Sequence, residues 1–283
     1  MDDDQPSRTA LAAAAHRAAH QILEHGSIFR DPLAVRLVGE NARALRERVD
    51  GRAENRSLRL FIAARSRFAE DALARAVADG VRQLVVLGAG LDTLAYRVEP
   101  AWGLRVFEVD HPATQAWKRR RLSAAGIGIP PAVAFTAIDF GHQSLSERLE
   151  ASGFDVRQAA FFTWLGVVPY LELEAVLATV DFIAAIAPPS QVVFDYANPP
   201  DGLAGGARVA HDRLAARVAR AGEPFRCYLD TAWLHVRLGE RGFTRIEDLG
   251  PAQLAARFAP GVEPVPVDRG GHVIHAATGA SAR

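Results

Sequence analysis

The 283-residue chain has one cysteine, Cys227, one methionine and one lysine, Lys118. A single cysteine excludes an internal disulfide and a zinc site built from cysteine thiolates. Lys+Arg and Asp+Glu both total 33, so the formal net charge is zero. The concentrated basic field that a dedicated nucleic-acid or membrane-surface protein needs is therefore missing. No apolar run approaches the roughly 20 residues of a membrane span. The opening "MDDDQPSRTALAAAAHRAAH" starts acidic and has only a short alanine-rich run, which fits no signal peptide. The expectation is a soluble cytoplasmic protein whose partners include neither nucleic acid nor membrane. No metal is expected either, because His272 and His275 lie three apart on a predicted strand and face opposite sides. The "KRRR" run at 118–121 reads as the solvated face of a helix that covers a sheet.

What is present is apolar content, at 49% of residues, and a change of period near residue 80. Residues 7 to 80 read as helical with one interruption at "SIFRDPLA", where Asp31-Pro32 suits a turn or helix start. Leu58, Phe61, Ile62, Phe68, Ala69, Ala72, Leu73 and Ala76 recur at helical spacing, and Gly80 stands where a C-cap glycine belongs. From residue 83 the pattern becomes strand, turn, helix, repeated. "QLVVLG", "LRVFEVD", "AVAFTAID", "AAFFTWLG" and "SQVVFDY" are five strands, followed later by "FTRIEDLG" and a last strand, "GGHVIHAA". Short apolar runs alternating with helices predict an α/β fold, a mostly parallel Rossmann-like sheet with helices on both faces. The expected organisation is a helical cap at 1–80 and a core domain at 81–283, with a cap insertion at about 197–228.

In a doubly wound sheet, ligands bind outside the carboxyl ends of the strands. The first strand ends in Gly88-Ala89-Gly90 but lacks the third glycine that a dinucleotide fingerprint uses beside a pyrophosphate. Asp92 follows at once, and its charge would repel a pyrophosphate. A nucleoside without phosphates that carries a cation or an amine meets no such penalty. The second strand ends in Glu108 and Asp110, about 20 residues after the glycines, where a carboxylate accepts from both ribose hydroxyls. Residues two apart share a strand face, so both acids can point toward the crevice. His111 reads as a turn residue. Asp139 ends the third strand, where an acid can accept from an adenine amino group while the next backbone N–H donates to the ring. Glycine turn, ribose acid and adenine acid, in that order, point to S-adenosylmethionine more than to NAD.

The segments "RSRFAEDAL", "LVVLGAGLDTLAYRV", "FEVDHP", "WLGVVPYLELEAV" and "GEPF" together resemble the leucine carboxyl methyltransferase family, with its bacterial S-adenosylmethionine-dependent O-methyltransferases. The resemblance runs from about residue 8 to the C-terminal strand, and "GAGLDTLAYR" is its most specific block. It implies a class I methyltransferase fold, with Gly88 in the cofactor turn, Asp110 on the ribose, and Asp139 and Phe140 at the adenine. It also implies that Arg65 pairs with the cofactor's methionine carboxylate, a bond that arginine's forked geometry suits. Without the resemblance, Arg65 and Arg67 read as solvated helix charges. The cofactor site expected is then Arg65, Gly88, Ala89, Gly90, Asp92, Asp110, Asp139 and Phe140. One departure stands out: many relatives carry a glutamate after the fourth-strand tryptophan, and this chain has Leu165.

The expected reaction is methyl transfer to oxygen, to a carboxylate of a small molecule such as a polyketide-type or other secondary metabolite. Three rivals remain at this point: a phenol or alcohol O-methyltransferase, an NAD-dependent oxidoreductase, and a relative that binds the cofactor without turnover. Tyr170, His211 and His235 lie in or near the presumed cap as candidates to line the acceptor pocket.

Overall fold

The computed structural model describes residues 7–40, 42–49, 53–139, 143–261 and 270–279. Four helices come first: α1 (Arg8–Leu23), α2 (Ala34–Val38), α3 (Ala42–Val49) and α4 (Ala53–Ala78). The helical stretch expected with one interruption is broken more than once. Gly39 ends α2 in a left-handed conformation at φ +70, and a Cβ there would run into the Arg121 guanidinium. Helical periodicity carries no signal for that close approach. The turn at 24–33 is as expected, and Asp31 organises it. Its Oδ1 accepts from the N–H groups of Leu33 and Ala34, and its Oδ2 from Thr93 Oγ1 at 2.7 Å. Two arginines, Arg17 and Arg97, lie 3.5 and 3.4 Å from this wholly buried carboxylate. A buried charge survives only when it is paired and hydrogen-bonded. Asp31 meets both conditions by binding the helical segment to the loop after the first strand.

The sheet strands are β1 (Gln83–Leu87), β2 (Arg105–Asp110), β3 (Val133–Ala137), β4 (Ala160–Trp164), β5 (Gln191–Ala197), β6 (Phe243–Leu249) and β7 (Gly271–Thr278). Helices α5 (Pro112–Ala124), α6 (Leu145–Ala151), α7 (Leu173–Ala184), α8 (Gly205–Arg220), α9 (Thr231–Glu240) and α10 (Pro251–Phe258) connect them. The order across the sheet is β3-β2-β1-β4-β5-β7-β6, and β7 alone runs antiparallel to its neighbours. Every residue of β1 and β4 is buried, because helices cover both faces. Alternation splits these strands between two cores. Leu84, Val86, Val106, Phe161 and Val193 pack with Phe68, Ala72 and Leu73 of α4. Val85, Leu87, Phe107, Phe162, Trp164, Val192 and Phe194 pack with α7 and α9 on the other face. The switch point of the sheet lies between β1 and β4, so ligand-binding loops gather there. Among the described residues, no helix is long and apolar enough to cross a membrane.

Glu24 is a second anchor of the helical segment. Arg59 grips it with Nη2 at 2.6 Å and Nε at 2.8 Å, and His20 Nδ1 lies 3.3 Å away. Burial alone would raise its pKa, but the bonds from His20 and Arg59, with the Arg59 charge, pull it from 4.5 down to about 2. A carboxyl depressed by folding stabilises the native state above its unfolded pKa, and that contribution fades as pH falls toward its folded value. Glu24→Gln is expected to lower stability by about 2 kcal/mol at neutral pH. Urea unfolding across the acid range checks it: the gap between variant and wild type closes between the unfolded value of 4.5 and about 2.

Candidate active site

The carboxyl ends of β1, β2, β3, β4 and β5 open into one cavity of about 1010 Å³. At the end of β1, Gly88 and Gly90 both adopt positive φ, +63 and +42. A Cβ on Gly88 would overlap the Val167 side chain, so this turn needs glycine for space as well as conformation. Ala89 N–H donates to Val109 O at 3.0 Å, folding the turn over the end of β2. Asp110 receives it there. Its Oδ2 accepts from Gly90 N–H at 2.5 Å and its Oδ1 from His111 N–H at 2.7 Å. Burial raises the Asp110 pKa further than these two amides lower it. Donor hydroxyls from a ligand would relieve that burial penalty. His111 is a turn residue as expected, since its Nδ1 caps α5 by accepting from Ala113 N–H.

Glu108 does not join Asp110. It is wholly buried, bound to Lys118 Nζ at 2.7 Å and Tyr96 Oη at 2.9 Å, and it does not line the cavity. Shared strand face was the right geometry, but α5 covers the earlier pleat and leaves only the last one open. The same pair corrects the solvated reading of "KRRR". Lys118 is 1% exposed, Arg121 bonds the Leu37 and Val38 carbonyls, and only Arg119 and Arg120 face solvent.

Asp92 lines the cavity, yet its charge is partly met. Its Oδ1 accepts from Leu94 N–H at 2.7 Å, and Arg17 Nη1 lies 3.7 Å from Oδ2. Burial works against the carboxylate, but Arg17, the Leu94 amide, Arg97 and Lys118 together outweigh it and hold the pKa below its usual value. Asp139 lines the cavity at the end of β3, where its N–H donates to Gln143 Oε1 and its carbonyl accepts from Gln143 N–H. Phe140 lies outside the described residues.

Arg65 is neither solvated nor free. It is 8% exposed, its Nη1 donates to Asp195 Oδ2 at 2.6 Å, and its guanidinium sits 5.8 Å from the Phe61 ring centroid. Its buried Nε has no hydrogen-bond partner. Asp195 also accepts from Gly166 N–H at 2.5 Å, locking the turn after β4 against the guanidinium. Arg67 is the exposed arginine that the bare pattern predicted, paired with Asp71. Leu165 lines the cavity and packs on the α4 side of the sheet.

The family model for leucine carboxyl methyltransferase matches residues 10–184 of the chain. The chain belongs to the leucine carboxyl methyltransferase family. YktD of Bacillus subtilis, assigned by name to the S-adenosyl-L-methionine-dependent methyltransferases, is 30% identical over 91% of this chain and 93% of its own length. A Mycobacterium avium protein with the same assignment is 35% identical over 73% of this chain and 72% of its own. Among solved structures, one assigned as a methyltransferase from Thermobifida fusca is 19% identical with a TM-score of 0.56, covering 99% of this chain and 97% of that one. A DUF574 family protein from Streptomyces avermitilis is 16% identical with a TM-score of 0.57, covering 98% and 99%. These likenesses concern the fold, which is that of the class I methyltransferases, and the family makes this chain a methyltransferase.

Of the three cap candidates, Tyr170 and His211 line the cavity of this family member and His235 does not. His235 sits on α9 with its Nε2 2.8 Å from Asp248 Oδ2, outside the cavity lining. His211 Nε2 lies 3.2 Å from Tyr228 Oη. The Tyr170 phenol is pushed up to about 12 by burial, which prevails over the opposing Arg65 charge, and Asp195 and Glu223 push in the same direction as burial. Two residues that line the cavity, Asp195 and Glu223, escaped the sequence reading. Asp195 was visible as an acid inside the apolar strand "VVFDY", a placement that nearly always implies a partner. Glu223, in "GEPF", accepts from Ser7 Oγ at 2.9 Å, from Arg8 N–H at 3.0 Å and from Thr9 Oγ1. It ties the start of α1 to the segment after α8, and no local pattern announces a contact 216 residues apart.

Proposed function

We propose that this methyltransferase, whose cofactor is S-adenosylmethionine, methylates a carboxylate oxygen of a small molecule. The observation that carries the cofactor's placement is the Arg65 guanidinium: buried, held on one arm by Asp195, and left with an unpaired Nε. An orphaned buried donor costs free energy that a ligand carboxylate removes. The residues present therefore fit the cofactor. Asp110 holds the ribose hydroxyls, Asp139 the adenine amino group, and Arg65 the methionine carboxylate, with Gly88, Ala89 and Gly90 giving the close backbone approach. Asp92, beside these glycines, adds negative charge to the wall, which favours a cationic ligand over a pyrophosphate. When bound, the cofactor supplies an electrophilic methyl group on a sulfonium.

The task left to the chain is alignment and exclusion of water. The helices α1 and α4 and the segment after α8 serve as the cap, latched by Glu223. A carboxylic acid has a pKa of about 4 and is already a nucleophile at neutral pH, whereas a phenol of pKa about 10 needs a base. Tyr170 stays protonated at neutral pH and is no such base. The family name and this ionisation argument together support a carboxylate acceptor.

Single-turnover methyl transfer is expected to be nearly flat from about pH 6 to 9. His211→Ala is expected to weaken acceptor binding more than it slows the chemical step. A rate that climbs about tenfold per pH unit before levelling, and that disappears with His211, would instead identify a phenol acceptor with a histidine base.

A further inference from the structure

One wall of the cavity is built of rings. Phe225 is its hub. Its ring centroid lies 5.3 Å from Tyr170, 6.2 Å from His211 and 6.2 Å from Tyr228. His211 and Tyr228 complete the cluster at 5.6 Å. Helix α8 continues the wall with Leu214 and Val218, which follow His211 on one helical face. Phe225 and Tyr170 are half-buried and line the cavity, so ring surface remains open to it.

On the α8 side the polar tips are already engaged, since His211 Nε2 meets Tyr228 Oη at 3.2 Å. Ring faces and edges are therefore most of what this wall offers an occupant. Pockets for one small ligand usually span about 300 to 1,000 Å³. A cavity of about 1010 Å³ thus has room along its ring-lined wall for an acceptor beside the cofactor. Aromatic rings gain from offset or edge-on contact with other rings beyond the area they bury, and an aliphatic chain does not.

We propose that this wall is the acceptor's body subsite and that it selects aryl carboxylic acids over aliphatic ones, with Phe225 as the specificity-determining residue. The proposal rests on the carboxylate reading above. Its test is calorimetric titration of the full chain, saturated with S-adenosylhomocysteine, with naphthoic acid and with decanoic acid, which expose similar apolar surface. Naphthoate is expected to bind about tenfold more tightly than decanoate. Phe225→Leu keeps apolar bulk without a ring, and is expected to erase that preference while leaving S-adenosylhomocysteine affinity unchanged. Phe225→Ala serves as the second variant, with the same loss of preference expected. Decanoate binding as tightly as naphthoate, a preference that survives in the Leu variant, or no binding of either acid overturns the subsite. Transfer of a labelled methyl group is read separately: naphthoate that binds with the expected preference but is never esterified leaves the subsite standing and refutes the carboxylate reading.

Discussion

Asp110→Ala is expected to weaken S-adenosylhomocysteine binding by about 2 to 3 kcal/mol, because two hydroxyl donors lose a charged acceptor. That is about a 30- to 150-fold rise in Kd. The carboxylate is already committed on one edge, where Gly90 and His111 amides hold its two oxygens. Asp110 lines the cavity. Asp110→Asn keeps one carbonyl acceptor and should fall between wild type and alanine. His111→Ala is the control. It removes the α5 cap from Ala113 N–H, which costs about 1 kcal/mol of stability, and it should leave affinity almost unchanged. Calorimetry on the three variants decides the assignment, with thermal melts to confirm folding. Equal losses of affinity at positions 110 and 111 would place the ribose elsewhere.

The central strands β1, β4 and β5 were legible because each is a short apolar run closed by a turn, and because burial on both faces demands that pattern. The strand-end acid Asp110 was legible for a similar reason: its distance from the glycine turn is a local property of the connection from β1 to β2. Partnerships were not. Glu108 and Asp110 look equivalent in "FEVD", and only the reach of Lys118 from α5 separates a buried ion pair from an open carboxylate. The sole lysine looked like part of a solvated run, although its neighbours are the residues that face water. His235 looked like a pocket histidine, yet it pairs with Asp248 of β6 instead. Gly39 broke a helical segment that periodicity alone joined. In each case the deciding contact crosses from one element to another, ten residues along the chain for Glu108 and Lys118, thirteen for His235 and Asp248 and much further for Gly39 and Arg121. The periodicity of a single element carries no sign of it.

Arg65 shows what such a long-range contact means for function, and its removal is expected to give the largest combined effect. Arg65→Ala strands Asp195 as an uncompensated buried charge, and breaking a buried pair this way costs about 3 to 5 kcal/mol of stability. The same substitution removes the group proposed to meet the methionine carboxylate. The two losses separate experimentally. In the double variant Arg65→Ala/Asp195→Ala the stranded charge is gone, so much of the stability returns. Recognition of the cofactor's tail does not return with it. Affinity for S-adenosylhomocysteine should stay low in both variants. Affinity for 5′-methylthioadenosine, which has no amino-acid tail, should stay near wild type wherever the protein is folded. Urea unfolding and calorimetry on the single and double variants give both readouts. If the double variant recovers S-adenosylhomocysteine binding along with stability, or if both ligands weaken equally, then Arg65 holds β5 to α4 and does not touch the ligand.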